Sequence, residues 1–115
     1  MKNILCYGDS NTFGYDPVTA SRFDYEKRWT TLLNDMVKEK GYRVIEEGLN
    51  GRTTSLDDDR PDILPNRVGR SGLEYLPVIL ESHYPVDILV IMLGTNDCKK
   101  RYMSTGEKIA EGMEK

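Results

Sequence analysis

The chain predicts an α/β protein built as three layers around a parallel sheet. Three observations carry this. Apolar runs and helical patterns alternate in the order β-α-β-α-β-α, which right-handed crossovers turn into such a fold. The run Val86 to Leu93 is almost wholly apolar, as expected of a strand covered by helices on both faces. A polar, glycine-containing turn follows each strand candidate, where α/β sheets place their sites.

Asn3 to Tyr7 reads as the first strand, buried and short. Trp29, Leu32, Leu33, Met36 and Val37 recur at i, i+3, i+4, i+7 and i+8, one face of a helix. Gly41 stops that helix after the cations Lys38 and Lys40. Tyr42 to Glu46 reads as the second strand. Between Thr54 and Gly72, Asp57, Asp58, Asp59, Pro61, Pro65 and Gly69 give a surface loop. Leu73, Leu76, Pro77 and Leu80 predict a second helix, which Pro77 should kink or end early. Val86 to Leu93 is the third strand, expected inside the sheet. Ser104 to Glu107 has the Ser-x-x-Glu capping form, so a final helix should begin near Thr105.

The 115 residues form one domain, with 38% apolar and 30% charged residues. A net charge of −3 with scattered basic residues argues against a nucleic-acid partner. The densest basic group, Lys99-Lys100-Arg101, reads as a solvated face. The longest apolar run, Ile88 to Leu93, is far below the ~20 residues that cross a bilayer, so no membrane partner is expected. The N-terminal run breaks at Gly8-Asp9, too early for a signal peptide. Cys6 and Cys98 read as free thiols of a reducing compartment, hence a cytoplasmic protein. No dinucleotide or phosphate-loop motif appears, and Asp57 to Asp59 lack a calcium-loop spacing, so neither cofactor nor metal is expected.

The chemistry concentrates in three turns. Ser10 follows the first strand in Tyr7-Gly8-Asp9-Ser10-Asn11-Thr12, which puts a hydroxyl nucleophile at the carboxyl edge of the sheet. Gly51 lies in Asn-Gly-Arg and Asn96 in Gly94-Thr95-Asn96-Asp97. A glycine N–H and an asparagine amide are the donors that a developing oxyanion needs. Each residue alone reads equally as a turn residue. Asp9, Asn11, Arg52 and Thr53 stand beside them and are the expected substrate contacts, although Arg52 fits equally well as the partner of Asp57 or Asp58.

Together these segments resemble the SGNH (GDSL) hydrolases. Gly8-Asp9-Ser10, Gly51 and Gly94-x-Asn96-Asp97 match that family's first three blocks. The longer strings, including Arg28-Trp29, Glu47 to Thr54, His83-x-Pro85-x-Asp87 and Leu93 to Asp97, are similar to its arylesterase and acyltransferase (perhydrolase) branch. The resemblance implies a flavodoxin-like fold, Ser10 as nucleophile, and an oxyanion hole made of the Ser10 N–H, the Gly51 N–H and the Asn96 amide. It implies small acyl esters as substrates, and self-association, since octamers occur in that branch.

One departure stands out. The family places its catalytic Asp and His in an Asp-x-x-His segment near the C-terminus, and none follows Asn96. The only histidine, His83, precedes the third strand, which at ~3.3 Å per residue sets it roughly 25 Å from Asn96. A base must come within ~3 Å of the hydroxyl. His83 is therefore expected to tie the turn before Pro85. The chain then reads as the N-terminal part, residues 1–115, of one hydrolase domain whose sheet is incomplete at its C-terminus. Its third strand should pair with a missing C-terminal segment or with another copy, and the chain alone should be inactive. A reading of another class is a non-catalytic α/β module binding a small anion through N–H groups of Gly8 to Thr12.

Overall fold

The computed structural model describes residues 1–54 and 70–96. Residues 55–69, with Asp57 to Arg60 and the expected surface loop, and residues 97–115, with Cys98, the basic group and the expected final helix, lie outside the described residues.

The elements are β1 (Lys2–Gly8), α1 (Ser10–Phe13), β2 (Tyr15–Asp16), β3 (Ser21–Arg22), α2 (Trp29–Val37), β4 (Tyr42–Gly48), α3 (Gly72–Ser82) and β5 (Ile88–Met92). Strands β4, β1 and β5 form a parallel sheet in that order. Gly8 stands opposite Gly48 on one side and Met92 on the other, so all three strands end level. β2 and β3 make a small antiparallel ribbon between α1 and α2.

β1 is the centre of the sheet, and the core follows from that. Ile4, Leu5, Cys6 and Tyr7 are all buried, because a strand flanked on both edges and covered on both faces hides every side chain. The strand after Val86 is expected inside a complete sheet, with its second neighbour outside this chain. β5 pairs with β1 alone among the described residues, and Ile88, Ile91 and Met92 remain exposed. Apolarity reports what a strand can bury, not what it does bury.

Alternation along the strands sends successive side chains to opposite faces. Glu46 meets α2, through Thr30 Oγ1 at 2.7 Å. Tyr7 and Glu47 meet α3, through the Gly72 carbonyl and the His83 ring respectively, each at 2.7 Å. Helices therefore cover both faces, which is the three-layer arrangement.

The sheet holds only part of the apolar stripe of α2: Trp29, Leu33 and Val37 are half-buried. Thr30 and Thr31 are buried, whereas Leu32 and Met36 are 54% and 74% exposed. Polar anchors decide the rotation: Thr30 bonds Glu46, and Asn34 Oδ1 accepts the Val44 N–H of β4 at 3.0 Å. The helix is followed by one 3-10 turn, Lys38–Lys40, and then Gly41 takes the left-handed conformation that closes it.

α3 runs through Pro77 rather than ending there. A proline removes the N–H that would bond four residues back, at the Leu73 carbonyl. Both residues are exposed, so water can take that carbonyl, and the helix continues to Ser82. Ser71 caps its start, accepting the Glu74 N–H. No described helix is long and apolar enough to cross a membrane.

Candidate active site

The site lies at the carboxyl ends of β1, β4 and β5. Ser10 opens α1 immediately after the Gly8-Asp9 end of β1 and is half-buried. Asp9 shapes this start. Its Oδ1 accepts the Asn11 N–H at 3.0 Å, and its carbonyl accepts those of Thr12 and Phe13. Gly14 ends α1 in the left-handed conformation, its N–H on the Ser10 carbonyl.

The short helix rests on β4 at a glycine. A Cβ on Gly48 would run into the backbone of Thr12 and Phe13, so only glycine admits α1 this close. A cluster on the α2 face clamps the other end of α1. Arg22 Nε donates to the Phe13 carbonyl at 2.7 Å, with its guanidinium 4.0 Å from the Phe13 ring centre. Glu46 Oε1 takes Arg28 Nη1 at 2.6 Å and Arg22 Nη2 at 3.5 Å. Residues 11–28 carry few local signals of structure. Their only signals, the Gly14 stop and the arginine-glutamate pairs, become readable once the partners are known.

Gly51 is buried in the turn after β4 with φ of 84°, a conformation that favours glycine. Asn96 is buried as well, and its Nδ2 donates to the Arg52 carbonyl at 2.9 Å. Arg52 Nη1 reaches back to the Gly8 carbonyl at 3.2 Å and the Glu47 carbonyl at 2.7 Å. The three polar turns of the sequence are thus bonded to one another around Arg52.

The expected substrate contacts divide. Asn11 is exposed. Asp9, Arg52 and Thr53 are instead 1%, 5% and 0% exposed. Arg52 points under the turn rather than to its rim, with its guanidinium 4.0 Å from the Tyr7 ring centre. Burial lowers its pKa, and burial raises that of the Tyr7 phenol. Thr53 Oγ1 donates to the Arg70 carbonyl at 3.2 Å, and the Thr53 N–H to the same oxygen.

His83 follows the last turn of α3, and its Nε2 pairs with Glu47 Oε1 at 2.7 Å. That bond ties the segment before Pro85 to β4, and Asn3 Nδ2 donates to the Pro85 carbonyl just beyond it at 2.7 Å. The backbone of His83 sits near the start of β1, because Asp87 bonds Asn3 in both directions. α3 starts at the opposite end of the sheet, its Gly72 N–H on the Thr53 carbonyl, and its 11 residues span ~16 Å. Among the described residues no group of His, Cys, Asp and Glu could hold a metal ion.

A family model of GDSL-like lipases and acylhydrolases matches residues 6–112, across all three turns. The chain belongs to that family. Among solved structures it is similar to a carbohydrate acetylesterase family member from Sinorhizobium meliloti, with 41% identity and a TM-score of 0.89 over 99% of this chain and 51% of that one. It is also similar to Est24, a carbohydrate acetylesterase from the same organism, with 46% identity and a TM-score of 0.85 over 98% and 51%. The aryl esterase of M. smegmatis gives 42% identity and 0.87 over 99% and 52%. The chain thus spans about half the length of these relatives. No curated protein matches it.

Proposed function

We propose that the chain is the N-terminal part, residues 1–115, of a single SGNH-type domain that hydrolyses small acyl esters through an acyl-Ser10 intermediate. The observation that carries this is the bonding of the three turns around Arg52, which gathers a hydroxyl, a glycine N–H and an asparagine amide at one end of the sheet. The acetylesterase and aryl esterase relatives point to the same ester chemistry.

In the proposed reaction the Ser10 hydroxyl attacks the ester carbonyl carbon. The carbonyl oxygen becomes an oxyanion held by the Ser10 N–H, the Gly51 N–H and the Asn96 amide. Its collapse expels the alcohol, and water or a second alcohol then takes the acyl group, which makes acyl transfer the same reaction with another acceptor. Asn11 is the substrate contact at the mouth. Asp9, Arg52 and Thr53 hold the turns from behind.

A base must take the Ser10 proton, and the chain offers one histidine, engaged with Glu47. The chain by itself is therefore expected to be inactive, with catalysis requiring an Asp-x-x-His segment supplied by a longer polypeptide. That segment, or a second copy, would also pair with the outer edge of β5. The anion-binding alternative is weakened by Asp9, whose carboxylate and carbonyl already take the Asn11, Thr12 and Phe13 N–H groups.

The test is a fluorophosphonate probe read by intact mass, on a longer version that carries an Asp-x-x-His segment. One adduct, lost in Ser10→Ala, is expected. An unlabelled protein would favour the binding module.

A further inference from the structure

We propose that Arg52 is a positioning residue: its guanidinium staples the ends of β1 and β4 while its own carbonyl orients the Asn96 amide, so one residue sets the spacing of all three proposed site elements. This deepens the acyl-Ser10 reading and rests on it for its catalytic meaning, although the coupling itself is a structural property.

The argument starts from the strand ends. Gly8 and Gly48 are paired across neighbouring strands, and beyond them both chains leave the sheet. Past that pair the ladder ends, apart from the Leu49 N–H on the Gly8 carbonyl, so the set of the turns depends on other bonds. A single nitrogen, Arg52 Nη1, donates to both Gly8 and Glu47. The Leu49 N–H adds a second bond to the Gly8 carbonyl. Gly8 is two residues before Ser10, so this staple fixes the exit from which the hydroxyl projects.

The guanidinium is itself held. It stacks on Tyr7, whose hydroxyl donates to the Gly72 carbonyl at the start of α3. The Arg52 N–H closes the turn on the Leu49 carbonyl. Its position is thus defined from β1, from its own turn and from α3 through Tyr7.

The carbonyl side completes the arrangement. A carbonyl only accepts, so the Asn96 atom facing it must be the nitrogen. That fixes which way the amide is turned. One N–H is engaged on Arg52, and the other remains available as the oxyanion donor. Arg52 adjoins Gly51, so any shift of the guanidinium moves the Gly51 N–H and the Asn96 amide together.

The test uses the full chain, labelled with 15N, and needs no turnover. Arg52→Met keeps the apolar stem and removes the donors; Arg52→Lys keeps one nitrogen that can reach the two carbonyls. In Arg52→Met the Ser10 and Gly51 amide signals and the Asn96 side-chain amide should all shift. The residue 52 carbonyl remains but is held less firmly, so exchange of the Asn96 amide protons with water should quicken by roughly fivefold, as for a weakening equivalent to one net hydrogen bond. Arg52→Lys should return these signals part-way, and Arg43→Met, on the exposed side of β4, should leave them in place. A folded Arg52→Met with all three signals at wild-type positions overturns the proposal. If Arg52→Met does not fold, Arg52→Lys decides: coordinated partial shifts support it, and unchanged signals sink it. A protein that passes this test yet shows no Ser10 adduct in the probe experiment would retire the esterase reading alone.

Discussion

Replacing Gly48 with alanine should damage the protein more than its single added methyl suggests. The new Cβ would overlap the Phe13 nitrogen and Cα and the Thr12 carbonyl carbon, all backbone atoms. No side chain can swing aside, so α1 must move off β4 or the strand must bend. Overpacking costs ~1–3 kcal/mol, and backbone against backbone belongs at the upper end, ~3 kcal/mol. For a chain of this size the unfolding entropy makes that a fall in Tm of about 12 °C. Gly41→Ala separates space from conformation. Nothing lies within 4 Å of a Cβ there, but φ is +85°, so ~1 kcal/mol is expected from strain alone. Urea unfolding of the two variants beside wild type gives the comparison, and the Ser10 amide signal in Gly48→Ala should move. A Gly48→Ala protein no less stable than Gly41→Ala would refute the close seating of α1 on β4.

Further expectations follow from the same contacts. Glu46→Gln weakens the charged bonds to Arg28 and Arg22 that hold the far end of α1, and should cost ~1–2 kcal/mol in urea unfolding. Burial, helped by Glu46, pushes the Cys6 thiol up to about 11. The folded state therefore keeps a proton that the unfolded chain releases near its ordinary value of 9.0, so stability is full below that pH and falls between about 9 and 11. The loss from this group is ~2–3 kcal/mol, read as the difference between wild type and Cys6→Ala in alkaline melts. The thiol should also ignore iodoacetamide at neutral pH in the folded chain. Asn3→Ala removes the bond to the Pro85 carbonyl and should cost ~1 kcal/mol without moving the Ser10 signal. With p-nitrophenyl acetate, the 115-residue chain should turn over no faster than its Ser10→Ala variant, and faster turnover would show that the base is present after all.

Much of this was legible in the chain because local physics sets it. The helical stripe from Trp29 to Val37, the closure at Gly41 and the strand beginning at Tyr42 rest on periodicity and on glycine's access to positive φ. The three turns were legible because site chemistry at strand ends uses few residue types. What escaped was whatever depends on a distant partner. The rotation of α2 toward Thr30 and Asn34 is set by Glu46 and Val44 of β4, which no helical pattern contains. From its turn alone Arg52 fits a substrate contact or a partner of Asp57 or Asp58; only the Gly8 and Glu47 carbonyls show why it turns inward. The Glu47 partner of His83 lies 36 residues away in the chain, and nothing local announces it.

The most direct measurement is the rate at which Ser10 takes the fluorophosphonate in the longer, Asp-x-x-His-bearing version, compared with Asn96→Ala in the same background. If the hydroxyl and the amide face one developing oxyanion, the variant should react about 10²–10³-fold more slowly. Equal rates would mean that the two turns do not serve one pocket.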